Sequence, residues 1–189
     1  MQQDAKVKVW DPLVRIFHWT LVITFFIDYF TEENLLTLHV WAGYILLSML
    51  AIRIIWGFSG TQYARFSNFV VSPSVAYLYL KDTLYLRAKR FLGHNPAGGF
   101  MIVVMLILLV FTGISGLMLY GADQHAGPLA SLFRASGKEW EEPLKMIHEF
   151  FANFMLVLVI IHIAGVVVES KIHNENLARA MLTGFKKGQ

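Results

Sequence analysis

Cysteine is absent from the 189-residue chain, and its absence removes disulfides, iron–sulfur clusters and the C-x-x-C-H attachment of a c-type heme. Charge is scarce too: Asp, Glu, Lys and Arg make up 15% of the residues against 56% hydrophobic, and mean hydropathy is +0.53. Such a balance excludes an ordinary soluble domain and suits a small polytopic membrane protein. The polar stretch ahead of the first apolar run lacks the layout of a removed signal peptide, with no small-residue cleavage site after a short apolar core. That first run is therefore expected to be retained. A pI of about 9.2 would suit nucleic acid, but the basic residues gather on one side of the apolar runs. Their distribution points to membrane topology and argues against nucleic acid.

Four apolar runs, at about residues 13–30, 37–57, 97–121 and 145–169, are each long enough for a transmembrane helix. The expected fold is all-α: one domain over residues 1–189, a four-transmembrane-helix bundle with an interfacial amphipathic helix. Asp11-Pro12 opens the first span as N-cap and first helical residue. A short acidic connection with Glu32 and Glu33 leads to the second span. Between the second and third, Ser72-Pro73 starts a helix expected over residues 73–91, with tyrosines at the headgroup level and Arg87, Lys89 and Arg90 towards anionic lipid. Gly93-His94-Asn95-Pro96 then turns the chain back. The third span carries Gly98, Gly99, Gly113, Gly116 and Gly121, small residues that let a neighbour approach closely. After Ser170 the tail is polar and basic, with one short helix. Thirteen of the sixteen Lys and Arg lie on the side shared by the N-terminus, the middle loop and the tail, against Arg134, Lys138 and Lys145 on the other. The bias predicts a multi-pass protein of the bacterial inner (cytoplasmic) membrane with both termini cytoplasmic.

Into these apolar runs the sequence places four histidines: His18, His39, His148 and His162. An imidazole within a span is costly unless it has a function or a partner. His148 and His162 are fourteen residues apart, which on a helix is about 21 Å of rise and a return to within about 40° of the same direction. With the topology above, His18 and His162 fall at similar depth from the inner side, and His39 and His148 both begin their spans at the outer side. Two bis-histidine hemes b at two depths use all four, with His18–His162 and His39–His148 as iron ligands. Phe151, Met155 and Val159 make a dry interval between the levels. Arg15 and Arg53 are candidates for neutralising heme propionates. Gly43, four residues after His39, and Gly165, three after His162, provide the small neighbours a stacked porphyrin needs. Asp28 and Glu149 are read as solvated outer-interface residues in preference to quinol proton carriers. His94, His125 and His173 are read as loop residues that do not ligate.

The residues resemble the bacterial cytochrome b561 family, especially the branch with the b-type cytochrome subunit of nickel–iron hydrogenases. The resemblance is carried by residues 9–19 (Val-Trp-Asp-Pro-Leu-Val-Arg-Ile-Phe-His-Trp), His39 with Gly43, Arg53 to Gly57, Gly93 to Gly99, His148-Glu149, His162 and the tail from Glu175 to Gly184. It implies a four-helix diheme protein that passes electrons between membrane quinone and a redox partner at the outer face, with the same histidine pairing. The connection between the first two spans is short beside that of hydrogenase subunits. A periplasmic c-type cytochrome or another outer-face redox subunit is thus an equal expectation for the partner.

Two other functions compete with the electron-transfer cytochrome. A stand-alone quinone oxidoreductase acting on a small oxidant such as superoxide would need cations at the outer face, where Glu32, Glu33, Glu139, Glu141 and Glu142 lean negative. A metal-ion path would need a ladder of histidines in place of two levels separated by an apolar gap.

Overall fold

A computed structural model describes residues 6–31, 34–135 and 138–188, and within them each apolar run lies inside a helix that continues past it at both ends. Helix α1 is Pro12–Thr31, α2 is Leu36–Ser59, α4 is Pro96–Asp123 and α5 is Glu141–Ile172; a shorter α3, Pro73–Leu84, follows α2, and α6, Leu177–Thr183, closes the helical series. The helices α1, α2 and α4, and α5 with the turn before it (Lys138–Ile172), are long and apolar enough to cross a membrane. Glu32 and Glu33, on which the acidic first connection rests, lie outside the described residues. Of Glu139, Glu141 and Glu142, the last two form the first turn of α5. There they face the positive end of the helix dipole.

The chain forms two compact units, Met1–Val104 with Ile160–Gln189, and Met105–Val159. In the first, α1 and α2 pack together and the chain ends are drawn onto them. Asp11 is the cap the sequence predicts: its Oδ1 accepts from the Val14 backbone N–H at 2.9 Å, and its Oδ2 accepts from Trp56 Nε1 at 3.1 Å and Thr61 Oγ1 at 2.6 Å. Burial alone would raise this carboxyl, but the donors from Thr61, Val14 and Trp56 outweigh it and hold the group below its ordinary 3.8. Around it Val9, Trp10, Val14, Ala64 and Ala180 form a buried cluster.

A small sheet adds to this end of the unit. Strand β1, Lys6–Lys8, pairs antiparallel with β2, Phe185–Lys187, and the Val9 and Trp10 N–H groups both donate to the Gly184 carbonyl. Gly184 sits at φ +89° as the left-handed cap of α6, where a side chain would be strained. The tail is then locked by charge. Glu175 accepts from Arg90, and from Lys186 at 3.0 Å, while Lys186 Nζ also donates to the Phe91 carbonyl at 2.9 Å. These tertiary bonds explain why α3 stops at Leu84, short of the expected Phe91. Leu86 takes a left-handed φ of 57°, the Arg87 N–H closes back on the Asp82 carbonyl, and Arg90 goes to the tail. Glu169 near the end of α5 accepts from Tyr79 and Thr83 and so fixes α3 to α5.

In the second unit α4 and α5 pack against each other. Phe111 stacks on Phe151 with ring centroids 5.5 Å apart, Met155 is 1% exposed, and Ala122, Phe133 and Leu144 form a buried cluster near the loop.

Asp11→Ala removes a cap and leaves the Trp56 and Thr61 donors unpaired, so it is expected to cost about 2 kcal/mol of stability, read as a lower unfolding midpoint in detergent. Burial works against the Glu175 carboxylate too, yet Arg90 and Lys186 outweigh it and hold the group below its ordinary 4.5. Its contribution is therefore complete above 4.5 and is lost as pH falls through the lower native value. Limited proteolysis of the tail should accelerate in that acid range, and Glu175→Gln should show the same cleavage at neutral pH.

Candidate functional site

Position along the spans decides what each histidine meets. His39 lies in the first turn of α2, and its Nδ1 is 2.9 Å from the carbonyl of Asp28. That carbonyl is among the last four of α1, which a helix end leaves available. A carbonyl only accepts, so Nδ1 carries the proton and the lone pair of the neutral ring lies on Nε2. The Asp28 carboxylate Oδ1 stands 4.0 Å from the same nitrogen, so Asp28 serves His39 through its backbone more than its side chain.

His148 arrives at the same tautomer by a different route. In the second unit its Nδ1 lies 3.0 Å from the Thr112 carbonyl and 3.2 Å from Ser115 Oγ. Residue 116, one helical repeat beyond Thr112, is glycine; a Cβ there would stand 2.9 Å from His148 Cε1. A bare helix surface at that point is what lets the imidazole reach a main-chain carbonyl of α4. Here too the proton sits on Nδ1 and the lone pair on Nε2. Sequence reasoning placed Gly116 among packing residues, and the spacing Thr112–Gly116 is the signal that would have marked it.

His18 and His162 belong to the first unit and interact electrostatically. His18 meets Trp19 edge-on at 5.0 Å, and its Nδ1 is buried without a hydrogen-bond partner. Gly165, three residues beyond His162, and Gly43, four beyond His39, each border open space: a Cβ on either would meet nothing within 4 Å.

The arginines differ. Arg15 Nη1 donates to the Leu182 carbonyl at 2.5 Å, tying α1 to α6, while its Nε is buried and unpartnered. Arg53 is 3% exposed, with its guanidinium carbon 5.1 Å from the Phe66 ring centre, 5.9 Å from Phe69 and 6.0 Å from Phe17; its Nη1 has no hydrogen-bond partner. His94, expected to be an ordinary loop residue, lies between Trp10 and Phe69 at ring distances of 4.6 and 4.7 Å. Burial pushes its imidazole down to about 3, and the positive potential of Arg53, His162, Lys186 and His18 acts in the same direction. It is neutral at physiological pH. Asn95 beside it caps α4, its Oδ1 accepting from the Gly98 N–H at 2.7 Å. A cavity of about 310 Å³ reaches His94, Phe69, Tyr63 and Arg90.

Heme b tests well against these residues. Two imidazoles have their lone pair turned to Nε2 by a main-chain carbonyl, the arrangement by which proteins orient metal-ligating histidines. A third has an unpartnered buried ring nitrogen, a buried guanidinium lacks a partner, and glycines beside His39 and His162 leave room for a flat group.

A family model described as prokaryotic cytochrome b561 matches residues 9–184. The chain belongs to that family. It is accordingly an all-α membrane b-type cytochrome that carries heme b and transfers electrons. Among similar proteins is one named "Probable Ni/Fe-hydrogenase B-type cytochrome subunit" in Rhizobium leguminosarum bv. viciae, 27% identical over 216 residues that cover 96% of this chain and 89% of the relative. A second, of the same name in Azotobacter vinelandii, is 24% identical over 226 residues, covering 98% of this chain and 90% of the relative. No solved structure matches the chain.

Within this cytochrome, Gly116→Ala is expected to push the His148 ring off the Thr112 carbonyl, because a contact of 2.9 Å to Cε1 leaves the imidazole no room. Loss of an orienting bond of this kind weakens metal retention about 10-fold or more. Heme content after detergent washing measures it; full retention would show that the His148–Thr112 bond has no part in holding heme.

Proposed function

We propose that this b561-family cytochrome carries electrons across the bacterial inner membrane between quinone and a redox subunit at the outer face, through two hemes b. His18 with His162 ligate the inner heme and His39 with His148 the outer one. When bound, heme b supplies a one-electron ferric–ferrous couple. The observation that carries the reading is the commitment of Nδ1 in His39 and His148 to backbone carbonyls, which gives both outer histidines the same ligating nitrogen.

The roles of the other residues follow from charge and dryness. A pair of neutral imidazoles would hold each iron, and that donor set would supply a low-spin couple that takes up an electron without exchanging ligands. Phe151, stacked on Phe111, and fully buried Met155 fill the interval between His148 and His162 on α5, so that interval excludes water and favours electrons over protons. Arg15 and Arg53 offset propionate charge at the inner level, and Gly43 and Gly165 leave room for the porphyrin faces. Both termini lie in the cytoplasm by the distribution of Lys and Arg. The relatives named as hydrogenase cytochrome subunits support a redox subunit as the electron partner; its place at the outer face, with a periplasmic c-type cytochrome as the equal alternative, belongs to the proposal. A metal-ion path would need a ladder of histidines, whereas Phe151 and Met155 separate His148 from His162 along α5.

Alanine substitutions sort the four ligands. His18→Ala and His162→Ala should lose the same heme, and His39→Ala and His148→Ala the other, each leaving one b-heme with an unchanged midpoint potential. The wild-type protein in membranes should be reduced by added quinol. Loss of both hemes or neither in all four variants would refute the pairing, and failure of quinol to reduce either heme would refute the quinone link.

A further inference from the structure

Arg53 and His94 share one ring. Phe69, itself 3% exposed, has the Arg53 guanidinium carbon 5.9 Å from its centre and the His94 imidazole 4.7 Å from it. Each of the two brings a buried nitrogen that lacks a hydrogen-bond partner, Nη1 of Arg53 and Nδ1 of His94. A buried guanidinium without an anion is costly. Asp11 acts on Arg53 electrostatically, but its two oxygens are already occupied by the Val14, Trp56 and Thr61 donors. Arg53 Nη1 therefore has an N–H left for an acceptor from outside the polypeptide, and Nδ1 of His94 offers a second in the tautomer that places the ring's proton there.

The chemistry of that acceptor follows from the donors. A guanidinium N–H and a neutral imidazole N–H together suit an anionic oxygen, with the charge-assisted bond coming from Arg53. The location narrows the source. His94 is electrostatically in reach of both His18 and His162, and a porphyrin held between those two histidines carries two carboxylates on one edge. A free phosphate or chloride would offer similar chemistry but would have to shed its water beside Trp10 and Phe69, which are 7% and 3% exposed.

We propose that Arg53 and His94 form a carboxylate cradle for a propionate of the inner heme, with His94 as a positioning residue and Trp10 and Phe69 fixing its ring. The assignment rests on His18 and His162 ligating that heme. Packing alone would not require histidine here, because phenylalanine fills the same space between two aromatic rings. What phenylalanine lacks is the N–H.

The test uses heme-loaded protein carrying His94→Phe, His94→Gln or Arg53→Gln, and reads the potentials by spectroelectrochemistry and the propionate bending mode by resonance Raman. In His94→Phe and Arg53→Gln both hemes stay low-spin. One midpoint potential falls, because a less compensated carboxylate favours ferric iron, and the propionate mode of that heme shifts. His94→Gln, which restores an N–H donor, recovers part of the potential. Unchanged potentials and propionate modes in His94→Phe would overturn the cradle, as would loss of a low-spin heme in that variant, which would make His94 a ligand. A wild-type potential that follows added phosphate or chloride, with the propionate mode insensitive to His94, would assign the site to a free anion and overturn the proposal. The ligation reading fails separately, if His18→Ala and His162→Ala retain both hemes.

Discussion

A neutral imidazole offers one N–H and one lone pair, and in a span with no water each must be satisfied by something fixed. In this cytochrome the N–H of His39 goes to the end of α1 and that of His148 to the middle of α4. The helix bearing the acceptor must then come close enough to present a bare carbonyl. At Asp28 the helix terminus supplies one; at Thr112 a glycine one turn later uncovers one. The placement of α1 against α2, and of α4 against α5, is thus tied to the chemistry of two ring nitrogens as much as to apolar packing.

The region of His18 and His162 poses a different problem. Around His18, His162, Arg53 and His94 lie several nitrogens that the polypeptide leaves without partners, in a unit otherwise closed by specific bonds. The N-terminal strand, the tail strand, the Asp11 cap and the Glu175–Lys186–Arg90 group all contribute to that closure. The bonded periphery thus surrounds nitrogens that are open to the heme proposed above. Arg15 joins the two, with one nitrogen on the Leu182 carbonyl and another unpartnered.

Long apolar runs made the spans legible, since hydrocarbon thickness sets the length of each helix. The Asp11 cap and the short tail helix were equally plain from residue type. The β1–β2 pair was hidden because Lys6–Lys8 and Phe185–Lys187 are three-residue segments whose strand character comes only from each other across the length of the chain. The early end of α3 escaped notice for a similar reason: Arg87 to Phe91 read as helix by composition, while the tail's Glu175 draws Arg90 away. His94 lies in the loop its motif predicts, and only its enclosure was illegible. A loop motif of Gly, His, Asn and Pro reads as a turn, and nothing local reveals that Trp10 and Phe69 enclose the ring.

The claim on which the rest stands is that four histidines hold two hemes. Heme-to-protein stoichiometry of the purified wild-type chain, combined with low-temperature electron paramagnetic resonance of the oxidised form, tests it directly. Two hemes b per chain, both low-spin with bis-imidazole signatures, is the predicted result. A single heme per chain, or a high-spin signal from either centre in intact protein, would contradict it.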